Sequence, residues 1–571
     1  VDRLRRLVHP EEVKLMKLLP SILLLIVFAG GSFSAEIEDF WTAISGKEDL
    51  SYLLEYSGDG WVKLPASVLG FRLDSLRRVS RNIPTPPEYR FKISAIAAGE
   101  ELDHQMLRLS AGRGKEWSAG LSAEVDPGEQ WGDFAAGYLS FRSRGWTGVF
   151  GSYSTGAGEG LTLWRGFEWG IFPENPIPLE KHDFLRGYAG TSENGSLFGT
   201  AAAYETGNSR YSVFYSDTRW DASGNEYGVV AVQYPGSHVT AAEKANKDRL
   251  REQLIGGRIN IGWGNLNTGI TATRAEYSPP FAPDDSVRRR FDLSGSGMTA
   301  VGADAKFRQD KFTLSSELSF AGNGLGVIGK AHYKLPRAHV YTSGRYLSKN
   351  YRNLRSLYPD GNEAGFVLGT NLQLWKGAEA GAYLDFYHRP WRTYTYSMPT
   401  ENRDGGIALE QKYRRWLGKI RLRKTESADG LVREQLRLRV IRRWGKITTR
   451  LHLEQMHSKS DEEFAGYLVS LGFAGKYYKN CRYNLDISAF DVPDYEARIY
   501  LYRYDVPGVN YAPFYLGRGI NVNLRADVIT VLGLTFAFRS GITVYDTLPG
   551  NTEPTEMSFS IYCRYVYSTK D

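Results

Sequence analysis

The sequence predicts an all-β fold: one large antiparallel transmembrane β-barrel of about 26 strands behind a short helical N-terminal segment. Three observations predict it. From Tyr89 onward apolar and polar residues alternate with a period of two, in runs of ~10 residues separated by Gly, Asn and Asp turns, as in a wall with one face in lipid and the other in water. The 571 residues include 36 Tyr, 27 Phe, 13 Trp and 61 Gly, the aromatic and turn-forming content of a β protein. Mean hydropathy is −0.38, and only Leu15 to Gly31 approaches the ~20 apolar residues that a membrane helix needs. A polytopic helical membrane protein is thereby excluded.

The chain divides into 1–35, 36–88 and 89–571. Met16 and Lys17 precede the apolar core Leu18–Phe28, and small residues follow to Ala35. That order reads as a cleaved secretory signal, with Val1–Leu15 an over-extended start. In 36–88, Ile37, Phe40, Trp41 and Ile44 keep helical spacing, as do Leu69, Leu73, Leu76 and Val79, up to the linker Pro84-Thr85-Pro86-Pro87. This is expected to be a helical periplasmic segment or plug, or else a plain extension.

Within 89–571, Tyr89, Phe91, Ile93 and Ala95 share one face, as do Thr299, Val301, Ala303, Ala305 and Phe307, and Ile520, Val522, Leu524, Ala526 and Val528. No fixed repeat marks a propeller or solenoid. Open sheets of this extent are rare, whereas closure removes their edges. Tyr383, Tyr387, Tyr500, Tyr502, Tyr504, Tyr562, Tyr565 and Tyr567 are expected at strand ends as interfacial girdles. Cys481 and Cys563 alternate with apolar neighbours and are expected to be free thiols; no spacing suits a metal, and neither metal nor cofactor is expected.

Two regions bear on function. Lys419, Arg421 and Arg423, then Arg437 and Arg439, then Arg450 and His452 alternate with apolar residues on successive strands. They predict a basic ladder on one inner wall, and with a net charge of +7 this favours anions. Alternatively Glu410, Glu426, Glu434 and Glu454 neutralise it. In Thr155–Gly190 alternation fails among several Gly and Pro. Its Glu159, Trp164, Arg165, Phe167, Trp169 and Phe172 are expected either to fold inward as a constriction or plug, or to lie along the rim. The Gly156–Gly160 string lacks the Gly-Lys-Ser/Thr of a nucleotide phosphate loop. Thr240 and Glu243 predict a capping box for a charged helix in His238–Gln253, within a water-exposed loop. Ser278–Gly295, Asn350–Asn362, Pro390–Arg403 and Pro507–Arg518 are further long loops.

The stretches GEGLTLWRGFEWG, FLRGYAG, GSHVTAAEKANKDRLREQLIGGRINI and RIYLYRYDVPGVNYAPFYLGRGINVNLRADV resemble the large outer-membrane barrels of Bacteroidota/Chlorobiota-type bacteria, commonly described as helix-hairpin-helix-containing. The resemblance implies the same fold and location. The family's hairpin carries a Leu-Pro-Gly-Ile-Gly-like turn; here Lys63-Leu64-Pro65-Ala66-Ser67 stands in the corresponding stretch without a Gly-x-Gly turn, so nucleic acid is not an expected partner.

No G-x-S-x-G or H-E-x-x-H occurs and the nine His are scattered, so an enzyme is not expected. The expected function is an outer-membrane channel or transport barrel of a Gram-negative cell, plugged or gated and anion-biased, passing small anionic solutes. The alternative is a non-conducting scaffold or receptor docking periplasmic or secretion partners, DNA-uptake components being the more remote case. Expected partners are the outer-membrane lipids and a periplasmic protein bound through 36–88.

Overall fold

The computed structural model describes residues 89–571, less 130–132, 167–169, 179, 193–194, 235, 237, 394–398, 479, 510–512, 531–533, 548–553 and 569–571. The expected signal and helical segment lie outside the described residues. Twenty-four antiparallel strands close into one barrel. In chain order the first twelve are β1 (Arg90–Gly99), β2 (His104–Arg113), β3 (Trp117–Val125), β4 (Phe134–Ser143), β5 (Trp146–Gly156), β6 (Leu197–Thr206), β7 (Ser209–Trp220), β8 (Leu250–Trp263), β9 (Leu266–Phe281), β10 (Gly295–Gln309), β11 (Phe312–Ala321) and β12 (Gly324–Lys334). The remainder are β13 (Ala338–Leu347), β14 (Glu363–Trp375), β15 (Ala378–Arg389), β16 (Thr400–Tyr413), β17 (Trp416–Glu426), β18 (Val432–Trp444), β19 (Ile447–Lys459), β20 (Glu463–Tyr478), β21 (Cys481–Val492), β22 (Gly517–Ile529), β23 (Leu534–Thr547) and β24 (Thr555–Ser568). The ring closes where β1 pairs with β24, from Arg90 opposite Ser568 to Gly99 opposite Phe559.

The wall has two strands fewer than the number expected, for two reasons. Ala222–Gly224 with Val229–Val232, and Ile499–Tyr500 with Phe514–Tyr515, form short ladders inside connections rather than wall strands. Wall strands also run longer than the assumed period, to 16 residues in β9 and β20.

Alternation sorts the faces as the sequence implies. Along β11, Leu314, Leu318 and Phe320 are exposed on the outside, while Thr313, Ser315, Glu317 and Ser319 are buried inside. The same holds for Ile255 and Ile259, Ile270 and Val301 around the ring. A continuous belt of such side chains would be a severe liability in water and is at home in hydrocarbon.

Connections after even-numbered strands are tight, two to four residues each, from 114–116 to 530–533. Gly145, Gly264 and Gly445 take the positive φ that such hairpins need. The long connections all lie at the other end. A ring of 24 strands is too wide for wall side chains alone to fill, and here connections fold inside. The buried clusters each join inward wall residues to a connection: Phe214, Trp220 and Leu254 with Leu163 and Leu185; Ala300 and Ile328 with Leu161 and Tyr351; Leu468 and Phe490 with Ile499 and Tyr515; Ile96 and Met106 with Val506. The core therefore lies in the lumen.

The helix forms with both halves of its Thr240/Glu243 capping box, but spans only Ala241–Asn246, because Leu250 already belongs to β8. The girdle expectation needs correction. Tyr383 and Tyr562 are buried inward, Tyr383 donating to Asp404. Tyr500, Tyr502 and Tyr504 belong to the connection 493–516, not to a wall strand. Tyr567 is exposed at the tight-turn end as expected, where the other exposed rings include Trp263, Trp375, Trp416, Trp444, Tyr477 and Tyr478. Cys481 and Cys563 are free thiols.

Candidate functional site

The first inward segment leaves the wall at the end of β5 and returns when Phe184–Gly187 pairs with that same strand. Its near part is a turn in which Gly158 and Gly160 adopt positive φ. That conformation points the amides of Glu159, Leu161 and Thr162 at the Glu317 carboxylate of β11, at 2.7, 3.1 and 2.8 Å, and the Thr162 hydroxyl adds a fourth donor at 2.8 Å. The glycine string is thus an anion nest after all, filled by the protein's own carboxylate. Beside it the Glu159 carboxylate meets Lys330 of β12 at 2.6 Å, and Lys181 donates to the Glu159 carbonyl at 2.9 Å. Burial pushes the Glu159 carboxyl up, but the Lys330 ammonium outweighs it and holds the group below the ordinary carboxylate range. Arg258 of β8 bridges Asp183, at 2.7 Å, to Asp304 of β10, at 2.5 Å. Trp164 sits edge-on to Phe184 at 5.5 Å under the Lys181 ammonium, and Arg165 donates to the Leu354 carbonyl.

The far part reaches the opposite wall. Glu174 meets Arg421 of β17 at 3.2 Å, and Arg423 lies 5.9 Å from the Phe172 ring centroid. In a ring of 24, β17 stands half the circumference from β5. The Pro173 and Pro176 carbonyls press on Gly381 of β15 and Gly369 of β14, where a Cβ would come within 2.1 and 2.2 Å. Only glycine admits such an approach.

Two more connections line the lumen. From 348–362, Arg355 crosses to Glu252 of β8 with an Nε–Oε2 distance of 2.7 Å and lies 4.4 Å over Trp220. Its carbonyl accepts from the Trp164 amide at 2.8 Å, so this connection clasps the first segment. From 493–516, the Glu496 and Tyr500 carbonyls accept from Arg433 and Arg437 of β18, while Val506 packs on Ile96 and Met106 across the β1–β24 seam.

These segments converge on the predicted basic ladder. Register places Arg421 opposite Arg437, Lys419 opposite Arg439, and Arg439 opposite His452. The Glu174 tip engages Arg421 and the Tyr500 backbone engages its neighbour Arg437. Most of the ladder is paired: Lys419 with Glu410 at 2.9 Å, Arg423 with Asp404 at 2.7 Å, Arg437 and His452 with Glu454 at 2.7 Å each, and Arg450 with Asp486 at 3.0 Å. Among the described residues, Arg439 alone of the ladder has no carboxylate within ion-pair distance. Of the expected neutralisers, Glu410 and Glu454 take that role. Glu426 and Glu434 instead pair with Lys424, which lies on the outward face.

Of the expected constriction residues, Glu159, Trp164 and Arg165 lie at the near part and Phe172 at the tip; Phe167 and Trp169 lie outside the described residues. Sequence reasoning missed the inward course of 493–516 and the partners Glu174, Asp183 and Glu317. Lone inward glycines at 369 and 381 were the available signal, since an isolated strand glycine marks close backbone approach. Two groups of ligand-type side chains nevertheless come together. Glu129, Asp133 and His238 bring ligand-type atoms within 4.8 Å of one another, and so do His104, Glu124 and Asp126, from spacings no motif encodes. In the first group His238 is already hydrogen-bonded at both ring nitrogens, to Asp133 at 2.6 Å and Asp221 at 2.7 Å, and Lys247 sits on Asp133.

No family model and no curated protein matches the chain. Among solved structures it is similar to the siderophore receptor PirA from Acinetobacter baumannii, with a TM-score of 0.43 and 7% identity over 84% of this chain and 81% of that one. It is also similar to the copper transporter OprC, with a TM-score of 0.43 and 8% identity over 85% and 81%. The P pilus usher PapC translocation pore gives a TM-score of 0.38 and 9% identity over 85% and 100%.

Proposed function

We propose that this protein is an outer-membrane transport channel, closed at rest by connections that fold into its lumen from the long-loop end. Short turns in such barrels face the periplasm and long loops the exterior, so the closing elements enter from outside. The path runs along the wall carrying Lys419, Arg421, Arg437, Arg439 and His452, and small anions are the favoured solutes. One observation carries the reading: the tips of two inward segments meet at the adjacent cations Arg421 and Arg437, with the unpaired Arg439 guanidinium one register step away. Paired cations contribute little net field, so the selectivity assigned to the whole ladder falls chiefly on Arg439.

Planar-bilayer recording of the full chain tests this. Discrete current steps are expected, with a reversal potential biased toward anions, and Arg439→Glu should shift it toward cations more than Arg423→Gln does. A barrel that passes no current, with or without the Glu174→Gln change that frees the tip, would leave only a scaffold or receptor role.

A further inference from the structure

The outside of the tight-turn end carries a site that transport does not use. The turns 414–415 and 445–446 are neighbours because β17 and β18 pair with Trp416 opposite Arg442. Arg442 lies on the outward face of β18, two and three alternations beyond the lipid-facing Leu438 and Leu436. Its guanidinium is held between two exposed indoles, 3.2 Å from the Trp444 ring centroid and 4.4 Å from that of Trp416. Arg414, Arg415 and Lys446, in the two turns, are exposed beside it, whereas Arg443 shares the inward face of β18 with Arg437 and Arg439. Among the described residues none of the four patch cations Arg442, Arg414, Arg415 and Lys446 has a carboxylate within ion-pair distance; Glu410 on β16 is taken up by Lys412 and Lys419. The opposite rim carries exposed carboxylates, among them Glu100, Glu101, Asp284, Asp285, Asp461 and Glu462.

We propose that this patch binds the phosphate of an anionic phospholipid in the leaflet that the tight turns face. Two indoles prefer the depth where apolar acyl chain gives way to polar headgroup, and they fix the guanidinium by cation–π contact at that depth. Arg donors are planar and suit phosphate oxygens. The flanking cations of the two turns supply the long-range attraction to an anionic surface. A soluble polyanion would need the cations alone. The indoles and the adjoining apolar belt answer only to a phosphate that carries acyl chains.

The test uses the full chain in nanodiscs of phosphatidylcholine and phosphatidylglycerol in equal amounts, with retained lipid read by native mass spectrometry. The wild type should retain phosphatidylglycerol preferentially. Arg442→Gln with Lys446→Gln should lower that preference about fivefold for each cation removed, whereas Lys311→Gln, in a distant tight turn, should not. Arg442→Lys keeps the charge but not the planar stack, and should fall between. Unshifted heat-modifiable mobility on gels checks that each variant barrel is intact. Equal retention by wild type and double variant overturns the proposal. So does thermal stabilisation by inorganic phosphate equal to that by phosphatidylglycerol, which would make the patch a soluble-anion site.

Discussion

The two ends of the segment 157–183 are held in different ways. At its near end Glu317 receives four hydrogen bonds, Glu159 is paired with Lys330, and Arg258 joins Asp183 to Asp304, all in the buried lumen. At its far end one ion pair, Glu174–Arg421, remains 30% exposed on the glutamate side, and two proline carbonyls rest on glycines. Breaking a buried pair strands a charge and costs ~3–5 kcal/mol, whereas a partly exposed pair contributes about 0–1 kcal/mol. A segment fixed at one end and lightly held at the other can swing at the tip without leaving the barrel. The thin contact lies where the path was placed, on the ladder wall.

The largest expected effect comes from the fixed end. Arg258→Met leaves Asp183 and Asp304 facing each other without a cation and should destabilise the protein by about 3–5 kcal/mol. Urea unfolding of the bilayer-refolded chain measures it. A loss under 1 kcal/mol would mean that the near end is no anchor and that the contrast between the ends is false.

The tip is tested by sterics rather than charge. Gly381→Val places a side chain where the Pro173 carbonyl sits, 2.1 Å from the Cβ position, so the tip cannot seat. Conductance should rise severalfold, while unfolding free energy stays within about 1 kcal/mol of wild type because no buried charge is stranded. Gly418→Val, whose Cβ position meets open space, is the matched control. Equal currents from Gly381→Val and wild type would place the gate elsewhere.

That contrast also marks how far the sequence could be read. The wall was legible because a period of two is a local signal: Leu314, Leu318 and Phe320 announce their face without knowledge of any partner. The ladder was legible for the same reason, since Lys419, Arg421 and Arg423 share a face by spacing alone. What neutralises it was not. Arg421 is answered by Glu174, 247 positions away, and Arg423 by Asp404 on the preceding strand. Glu317 carries no local sign of its role, because its four donors come from a turn more than 150 positions earlier. The Tyr500, Tyr502 and Tyr504 run misled because alternation over a few residues does not distinguish a wall strand from a chain crossing the lumen.

The smallest expected effect lies at the long-loop end, where His238 and Asp133 fasten two connections, 126–133 and 221–249, to each other. Asp133 accepts from Lys247 and at 2.6 Å from the His238 ring; burial pushes its carboxyl up, but these two hydrogen bonds prevail and hold it below the ordinary range. A carboxylate whose folded pKa is depressed adds stability that is complete above its unfolded value, near 3.9, and fades as pH falls through the folded one. The part of the fastening that rests on the Asp133 charge should therefore be complete above about pH 5 and weaken only below about pH 4. Cleavage by an acid-active protease at 126–133 should rise there, while the barrel strands stay protected. Asp133→Asn should show that raised cleavage already at pH 7, measured with a neutral protease, and should leave bilayer conductance unchanged, since among the described residues neither connection is bonded to the Glu174 tip. If conductance followed Asp133, the outer fastening and the lumen tip would be one mechanical unit, and the division into a fixed and a free end would have to include the loops above them.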